Sequence, residues 1–284
     1  MEDRLSPLIE ERAPWLFRPG VRSSLVKPLL DRVLRYRECV DLGEALDPFS
    51  AEDIMAKMQE RLSQRVTLKG LSNIPASGPA LIVANHPTGI ADAIMLNHAL
   101  SPIRRDAYYF ANRDIMRVMP QFETMIAPVE WRLEKRSHAK MKETMSFTRK
   151  AVDDGRLGVI FPSGRLAKRR GLRLYERPWM ASAAMIARKF DLPVIPVNIR
   201  ARNSALFYLF DFIHPTLRDI TLFYETLNKD VQPYHITVGE PISAASLTKN
   251  SEEAIKILRR ETLRLGMPDL SLVSRQLRPA SAYF

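Results

Sequence analysis

The sequence predicts an α/β fold, with a mainly parallel central sheet flanked by helices and an N-terminal helical segment in front of it. Three observations carry that prediction. Short, continuously apolar runs at Ala80–Ala84, Leu157–Phe161 and Val194–Ile199 read as strands buried on both faces, the pattern of a parallel sheet. Segments with helical spacing of apolar residues lie between them, as crossovers between parallel strands require. At 284 residues, 46% hydrophobic and 26% charged, the chain has globular composition and enough length for one sizeable core.

Residues 1–64 read as a helical attachment segment. Pro7, Pro14, Pro19 and Pro28 punctuate it, and Leu29, Leu30, Val33 and Leu34 fall on one helical face with Arg32, Arg35 and Arg37 between them. Two readings of that helix are open: a basic amphipathic helix lying on an anionic membrane, or a helix packed on the main domain with its arginines in water. Ser50 and Asp53 form an N-terminal cap pattern ahead of Ile54, Met55, Met58 and Leu62, which predicts the next helix.

The main domain spans 65–245. Val66–Leu68 is β-prone, and Gly70, Pro75, Gly78 and Pro79 mark turns before the first buried run. A helix is predicted over Ala91–Leu100, a strand over Ala107–Ala111, and a helix over Lys140–Val152 with Gly155 past its end. Another helix is predicted over Trp179–Phe190, and further strands over Thr221–Tyr224 and Tyr234–Val238. Leu206–Phe210 reads first as core, with contact to a membrane or the lining of an acyl channel as the alternative, and Met141 and Met145 read as core. Residues 246–284 comprise a helix over Ser251–Leu265, ended by Gly266, and a tail from Pro268 to Phe284.

A net charge of +11 favours an anionic partner. The acidic start (Glu2, Asp3, Glu10, Glu11) leads into no long apolar run, so it is not a secretory signal. No stretch has the roughly 20 apolar residues of a membrane span. The expected location is therefore cytoplasmic, peripherally associated with a membrane. The single cysteine, Cys39, excludes a disulfide framework and a multi-cysteine metal site. Zinc-ligand and Walker patterns are absent, so no metal or nucleotide cofactor is expected. Neither a helix-turn-helix nor a pattern of stacking aromatics is present, so no nucleic-acid partner is expected.

The most informative stretch is Asn85-His86-Pro87-Thr88-Gly89-Ile90-Ala91-Asp92, which leaves a buried strand and enters a helix. Ligands of open α/β sheets bind beyond the carboxyl ends of strands. A histidine there can take a proton from an alcohol near neutral pH. An aspartate six residues on can fold back onto the other ring nitrogen and fix its tautomer. The competing reading is that Asp92 only serves the first turn of its helix. A second feature is the cationic run Arg165, Lys168, Arg169, Arg170, Arg173 and Arg177, opposed only by Glu176. Arg165, nearest the strand end, is the first candidate to bind phosphate, because its fork can hold two oxygens. The others suit lipid headgroups, coenzyme A phosphates or an acidic carrier protein.

Gly70-Leu71-Ser72-Asn73-Ile74-Pro75 followed by Gly78 through His86 resembles the glycerophospholipid acyltransferases, which include the lysophosphatidic-acid and glycerol-3-phosphate acyltransferases. Val159-Ile160-Phe161-Pro162-Ser163-Gly164-Arg165 resembles their phosphate-binding block, and Leu192–Val197 their fourth, apolar motif. Asn112-Arg113 and Pro120 occupy the place of their second motif. The likeness spans roughly Val66 to Ile242. His86 and Asp92 are separated by five residues where the family usually has four, which looks more like the hemolysin-like branch. Ser163 stands where the family usually has glutamate, and Arg165 sits one position early, so the acceptor's headgroup stays open.

The resemblance implies a single acyltransferase-type domain. It implies transfer of a fatty acyl group from an acyl thioester (acyl-CoA or acyl carrier protein) to a hydroxyl of a lysophospholipid or glycerol-phosphate acceptor. His86 would be the general base and Asp92 its orienting partner; Pro162, Ser163, Gly164, Arg165 and Arg113 would bind substrate. The implied partners are those substrates and an anionic membrane surface. A non-catalytic basic lipid-binding protein on the same scaffold would use the cationic run but would not need the His86–Asp92 pair. A lipid hydrolase would need water access and a stabilised leaving group.

Overall fold

The computed structural model describes residues 1–18, 21–130, 137–171 and 173–267, the side chains of 21–25 excepted. Pro19 and the tail expected from Pro268 onward lie outside the described residues. Four helices come first: α1 (Glu2–Arg12), α2 (Val21–Val33), α3 (Tyr36–Leu46) and α4 (Ala51–Leu62). Then follow β1 (Val66–Lys69), β2 (Ala80–Ala84), α5 (Ile90–Leu100), β3 (Tyr108–Asn112), α6 (Asp114–Val118), β4 (Ile126–Val129), α7 (His138–Asp153) and β5 (Leu157–Ile160). The chain ends with β6 (Lys168–Arg170), β7 (Arg173–Tyr175), α8 (Ser182–Lys189), β8 (Val194–Arg200), α9 (Ala205–Ile213), α10 (Pro215–Glu225), β9 (Tyr234–Val238) and α11 (Ser251–Arg264).

Seven strands form one sheet in the order β1-β9-β8-β2-β5-β3-β4. Every pairing is parallel except β8 with β9. The strand residues alternate between two cores, which is why they read as unbroken apolar runs. Ala80, Ile82 and Ala84 of β2 face a core shared with α4 and α5. Leu81 and Val83 face another, shared with α8 and α11. At the centre Gly158 is required by close approach, since a Cβ there would stand 2.8 Å from the Tyr108 hydroxyl.

β6 and β7 make a separate antiparallel hairpin carrying the basic run. α1, α2, α9 and α10 enclose a third, smaller cluster around Leu16, Leu30, Leu34 and Ile220. The N-terminal segment is therefore anchored in two places. α2 places Leu30, with Leu34 just beyond its end, in the small cluster and leaves Leu29 and Val33 exposed, while α4 places Ile54, Met58 and Leu62 in the main core. Ser50 caps α4 by accepting the Asp53 N–H at 3.1 Å, as its sequence pattern predicts.

Three expectations are corrected. Thr221–Tyr224 is helix, not strand. His214 caps α10 through Nδ1, which accepts the Thr216 N–H at 3.2 Å, and Pro215 takes the first helical position. Leu217, Ile220 and Tyr224 pack inward at helical spacing, and this overrides the β-prone composition. Leu206–Phe210 is only partly core: Phe207 is buried, but Leu209 is 54% exposed. Met141 is also exposed, at the border of the large cavity.

Because Leu62 is fully buried in the main core, Leu62→Ala is expected to cost about 2–5 kcal/mol in urea unfolding, the range for emptying a packed leucine site. A loss well below that would mean α4 sits loosely on the sheet.

Candidate active site

Five parallel strands end along one edge, and the loops after β2 and β5 meet there. The first loop is set by a side chain that imitates backbone. Asn85 Nδ2 donates to Ile199 O at 2.8 Å, and Asn85 Oδ1 accepts the Ile199 N–H at 2.7 Å. The β2–β8 ladder is thereby extended one residue by an amide, which frees the chain to turn at His86.

The turn is closed by Asp92, which is fully buried. Its Oδ2 accepts the N–H groups of Thr88 at 2.9 Å and Gly89 at 3.0 Å, and its Oδ1 accepts the Thr88 hydroxyl at 2.5 Å. Gly89 has φ +103, a backbone conformation that glycine adopts readily. Asp92 thus does serve the first turn of α5. The same Oδ2 also lies 2.9 Å from His86 Nδ1. That contact is short, but its angle is not that of a hydrogen bond, and Nδ1 has no other partner. The two sequence readings of Asp92 are therefore compatible.

His86 is held from its other sides. Its ring stacks on Phe161 at 4.4 Å between centroids. Its backbone N–H donates to Glu176 Oε2 at 3.2 Å, and its carbonyl accepts the Ala167 N–H at 2.9 Å. Glu176 Oε1 in turn accepts the Trp179 indole N–H at 2.8 Å. Burial raises the Glu176 carboxyl above its ordinary value, while the hydrogen bonds from Trp179 and the His86 backbone work against the rise. Behind Asp92, the Thr88 hydroxyl meets the buried Tyr234 hydroxyl at 2.6 Å. Because β9 runs antiparallel to β8, its first residue arrives at the edge where the parallel strands end.

His86 opens onto a cavity of about 2240 Å³. Ligand pockets usually hold roughly 300–1,000 Å³, so this one has room for two substrates. One limb is apolar, lined by Leu5, Leu8, Leu46, Met55, Ile94 and Phe122 among others. Another carries Arg165, Lys168, Arg169, Arg177 and Arg218. Burial, then the like charges of Arg165 and Arg218, lower Arg177 from the ordinary guanidinium value, so the three share one electrostatic field. Arg218 is engaged by Asp211 at 3.2 Å and Asp219 at 2.7 Å.

The structure gathers His86, Asp92, Pro162, Ser163, Gly164 and Arg165 at this edge. Ser163 Oγ donates to the Arg165 carbonyl at 2.8 Å, and Pro162 O accepts the Met180 N–H at 2.9 Å. Arg165 is exposed and lines the cavity. Arg113 is placed elsewhere: it pairs with Glu143 and faces a different, smaller groove. Cys39 also borders the cavity, but burial pushes its thiol up to about 12, so it stays protonated. Asn85, Thr88, Glu176 and Tyr234 were not singled out as site residues from sequence. The one signal was Glu176, the lone acid in the cationic run.

Similarity to known proteins supplies the class. Residues 65–200 match the family model described as Acyltransferase. That stretch, a little under half of the chain, contains His86, Asp92 and the Pro162–Arg165 loop. The chain is 24% identical over 209 residues to a lyso-glycine lipid O-acyltransferase of Phocaeicola vulgatus, covering 71% of this chain and 73% of that one. It is 22% identical to a lyso-glycine lipid O-acyltransferase of Bacteroides thetaiotaomicron, covering 76% and 79% respectively. Among solved structures, the 1-acyl-sn-glycerophosphate acyltransferase PlsC of Thermotoga maritima aligns with a TM-score of 0.46 at 13% identity, over 76% of this chain and 81% of that one.

A raised carboxyl in the folded state means that, as pH climbs past the ordinary glutamate value, the unfolded chain releases its proton first and folding loses stability. Glu176→Gln removes that loss. Its stability relative to the native chain, measured by urea unfolding, is expected to improve between mildly acidic and neutral pH. A constant difference would show that Glu176 titrates normally.

Proposed function

We propose that the protein is an O-acyltransferase of the glycerophospholipid type, which moves a fatty acyl group from a thioester, acyl-CoA or acyl carrier protein, to the hydroxyl of a lysolipid with an anionic headgroup. His86 acts as general base and Asp92 holds it. The carrying observation is the 2.9 Å approach of Asp92 Oδ2 to His86 Nδ1 at the mouth of the cavity. With Nδ1 turned to the carboxylate, Nε2 is left for the acceptor hydroxyl. As that oxygen attacks the thioester carbonyl, its proton passes to Nε2, and Asp92 stabilises the imidazolium. The tetrahedral intermediate expels the thiolate, which recovers the proton from His86. No acyl-enzyme is required.

Arg165 and Arg177 receive the headgroup, and the apolar limb takes an acyl chain. The lyso-glycine lipid activity named for the two relatives widens the acceptor class from phosphate to carboxylate headgroups, both of which a guanidinium fork can bind. Among the described residues no helix is long and apolar enough to cross a membrane; in this reading the acceptor comes from a membrane surface.

The test is transfer of a labelled acyl group from each donor to a panel of lysophosphatidate, other lysolipids, lyso-glycine lipid and glycerol-3-phosphate. His86→Ala is expected to lower the rate by about 10²–10⁴-fold, the usual contribution of a general base. A variant with native activity would remove His86 from the mechanism. Arg165→Gln is expected to raise KM for the acceptor more than it lowers kcat. An unchanged acceptor KM would place the headgroup elsewhere.

A further inference from the structure

α9 is apolar on both its inner and outer sides, and only one of them is covered. Leu206, Phe207 and Phe210 turn inward, toward the small cluster and the core. Ala205, Leu209, Phe212 and Ile213 form an exposed stripe at spacings of four, seven and eight, with Phe212 80% and Ile213 57% exposed. Between these faces, Tyr208 and Asp211 border the catalytic cavity. A surface helix normally turns polar residues to water, so an apolar outer stripe marks something that covers it.

Its neighbours indicate what. The Arg169 guanidinium lies over the Tyr208 ring at 5.8 Å, which ties the β6–β7 hairpin to α9. Lys168, Arg170 and Arg173 of that hairpin are exposed. An apolar ridge flanked by cations complements a bilayer whose headgroups are anionic and whose acyl boundary lies just beneath. Four exposed residues are far short of the roughly 800 Å² per partner of a stable protein complex, but they suit shallow insertion. The base of α9 is firm. Glu225 accepts the N–H and the hydroxyl of Ser204, and the buried Lys229 ammonium pairs with Glu225.

We propose that the outer stripe of α9, with the exposed cations of the β6–β7 hairpin, is the surface that docks the enzyme on an anionic lipid bilayer. Docked so, the basic limb of the cavity faces the headgroups, and a lysolipid reaches His86 without crossing water. The purpose of this surface rests on the lipid-acceptor reading above, while its geometry does not. It lies apart from the N-terminal helix, for which membrane contact is one of two sequence readings, and takes up the alternative reading of the Leu206–Phe210 run.

The experiment is co-sedimentation of the full chain with phosphatidylcholine vesicles, with and without phosphatidylglycerol. The native chain is expected to partition onto the anionic vesicles far more than the neutral ones, and less as salt rises. Phe212→Ser with Ile213→Ser is expected to weaken partitioning about tenfold or more, from the apolar area lost. Leu29→Ser, on the exposed side of α2, is expected to bind as native. Thermal melting by circular dichroism establishes that each variant is folded.

Native binding by the double variant would overturn the proposal, as would an equal loss in Leu29→Ser. A native dimer that the double variant disperses, without vesicle binding, would overturn it in favour of a subunit interface. His86→Ala is expected to bind vesicles as native. Acyl transfer to a detergent-dispersed acceptor without vesicle binding sinks this surface alone. Vesicle binding without transfer to any acceptor sinks the catalytic reading alone.

Discussion

A buried carboxylate must be met by donors or it costs several kilocalories per mole. Asp92 is met by three: two backbone N–H groups and one hydroxyl, all from Thr88 and Gly89. Those bonds fix the turn between β2 and α5, and so the position of His86 within it. They also leave Oδ2 against the imidazole. One side chain therefore caps a helix and lies against a histidine ring, and in the proposed mechanism it does both jobs. The arrangement depends on Gly89 at positive φ and on the turn residues Pro87-Thr88-Gly89, which accommodate the additional residue between His86 and Asp92.

The same turn is braced from two directions by distant chain. On one side Tyr234 reaches the Thr88 hydroxyl, and it can do so only because β9 reverses direction beside β8. On the other side Glu176 takes the His86 backbone N–H, and Arg259 of α11 holds the Glu176 carbonyl at 2.8 Å. The imidazole is thus packed on Phe161 with its backbone tied at both ends. In the proposed mechanism this is the preorganisation that a general base needs if reorganisation is not to consume its contribution.

Much of this was legible because it is local. Unbroken apolar runs announce strands covered on both sides, and a histidine and aspartate straddling a strand-to-helix turn announce a site at the carboxyl edge. The braces were not legible, since Tyr234 and Glu176 lie 146 and 90 residues from their partners. No spacing rule connects them. Asn85 was hidden for a different reason: its role is to imitate a backbone pair with Ile199. The misread of Thr221–Tyr224 shows composition losing to periodicity, because Leu217, Ile220 and Tyr224 already held a helical interval. Arg113 fits the likeness by position, yet Glu143 draws it to the surface away from the cavity.

α9 shows how an apolar sequence can be only partly buried. The run Leu206–Phe210 reads first as core because burial is the usual way to satisfy apolar side chains. Here Phe207 and Phe210 satisfy that rule while Phe212 and Ile213 break it, on a helix whose third side borders the cavity. On the proposed lipid-acceptor reading, the apolar limb of the cavity and the outer stripe of α9 are two responses to one ligand. A lipid acceptor has a chain that must stay out of water and a charged head that must not. An enzyme that takes it from a bilayer needs apolar surface outside as well as inside, and cations between the two. Arg165, Arg177 and the exposed lysine and arginines of the hairpin lie beside both, so the electrostatic and apolar demands of the substrate meet at the edge where His86 stands.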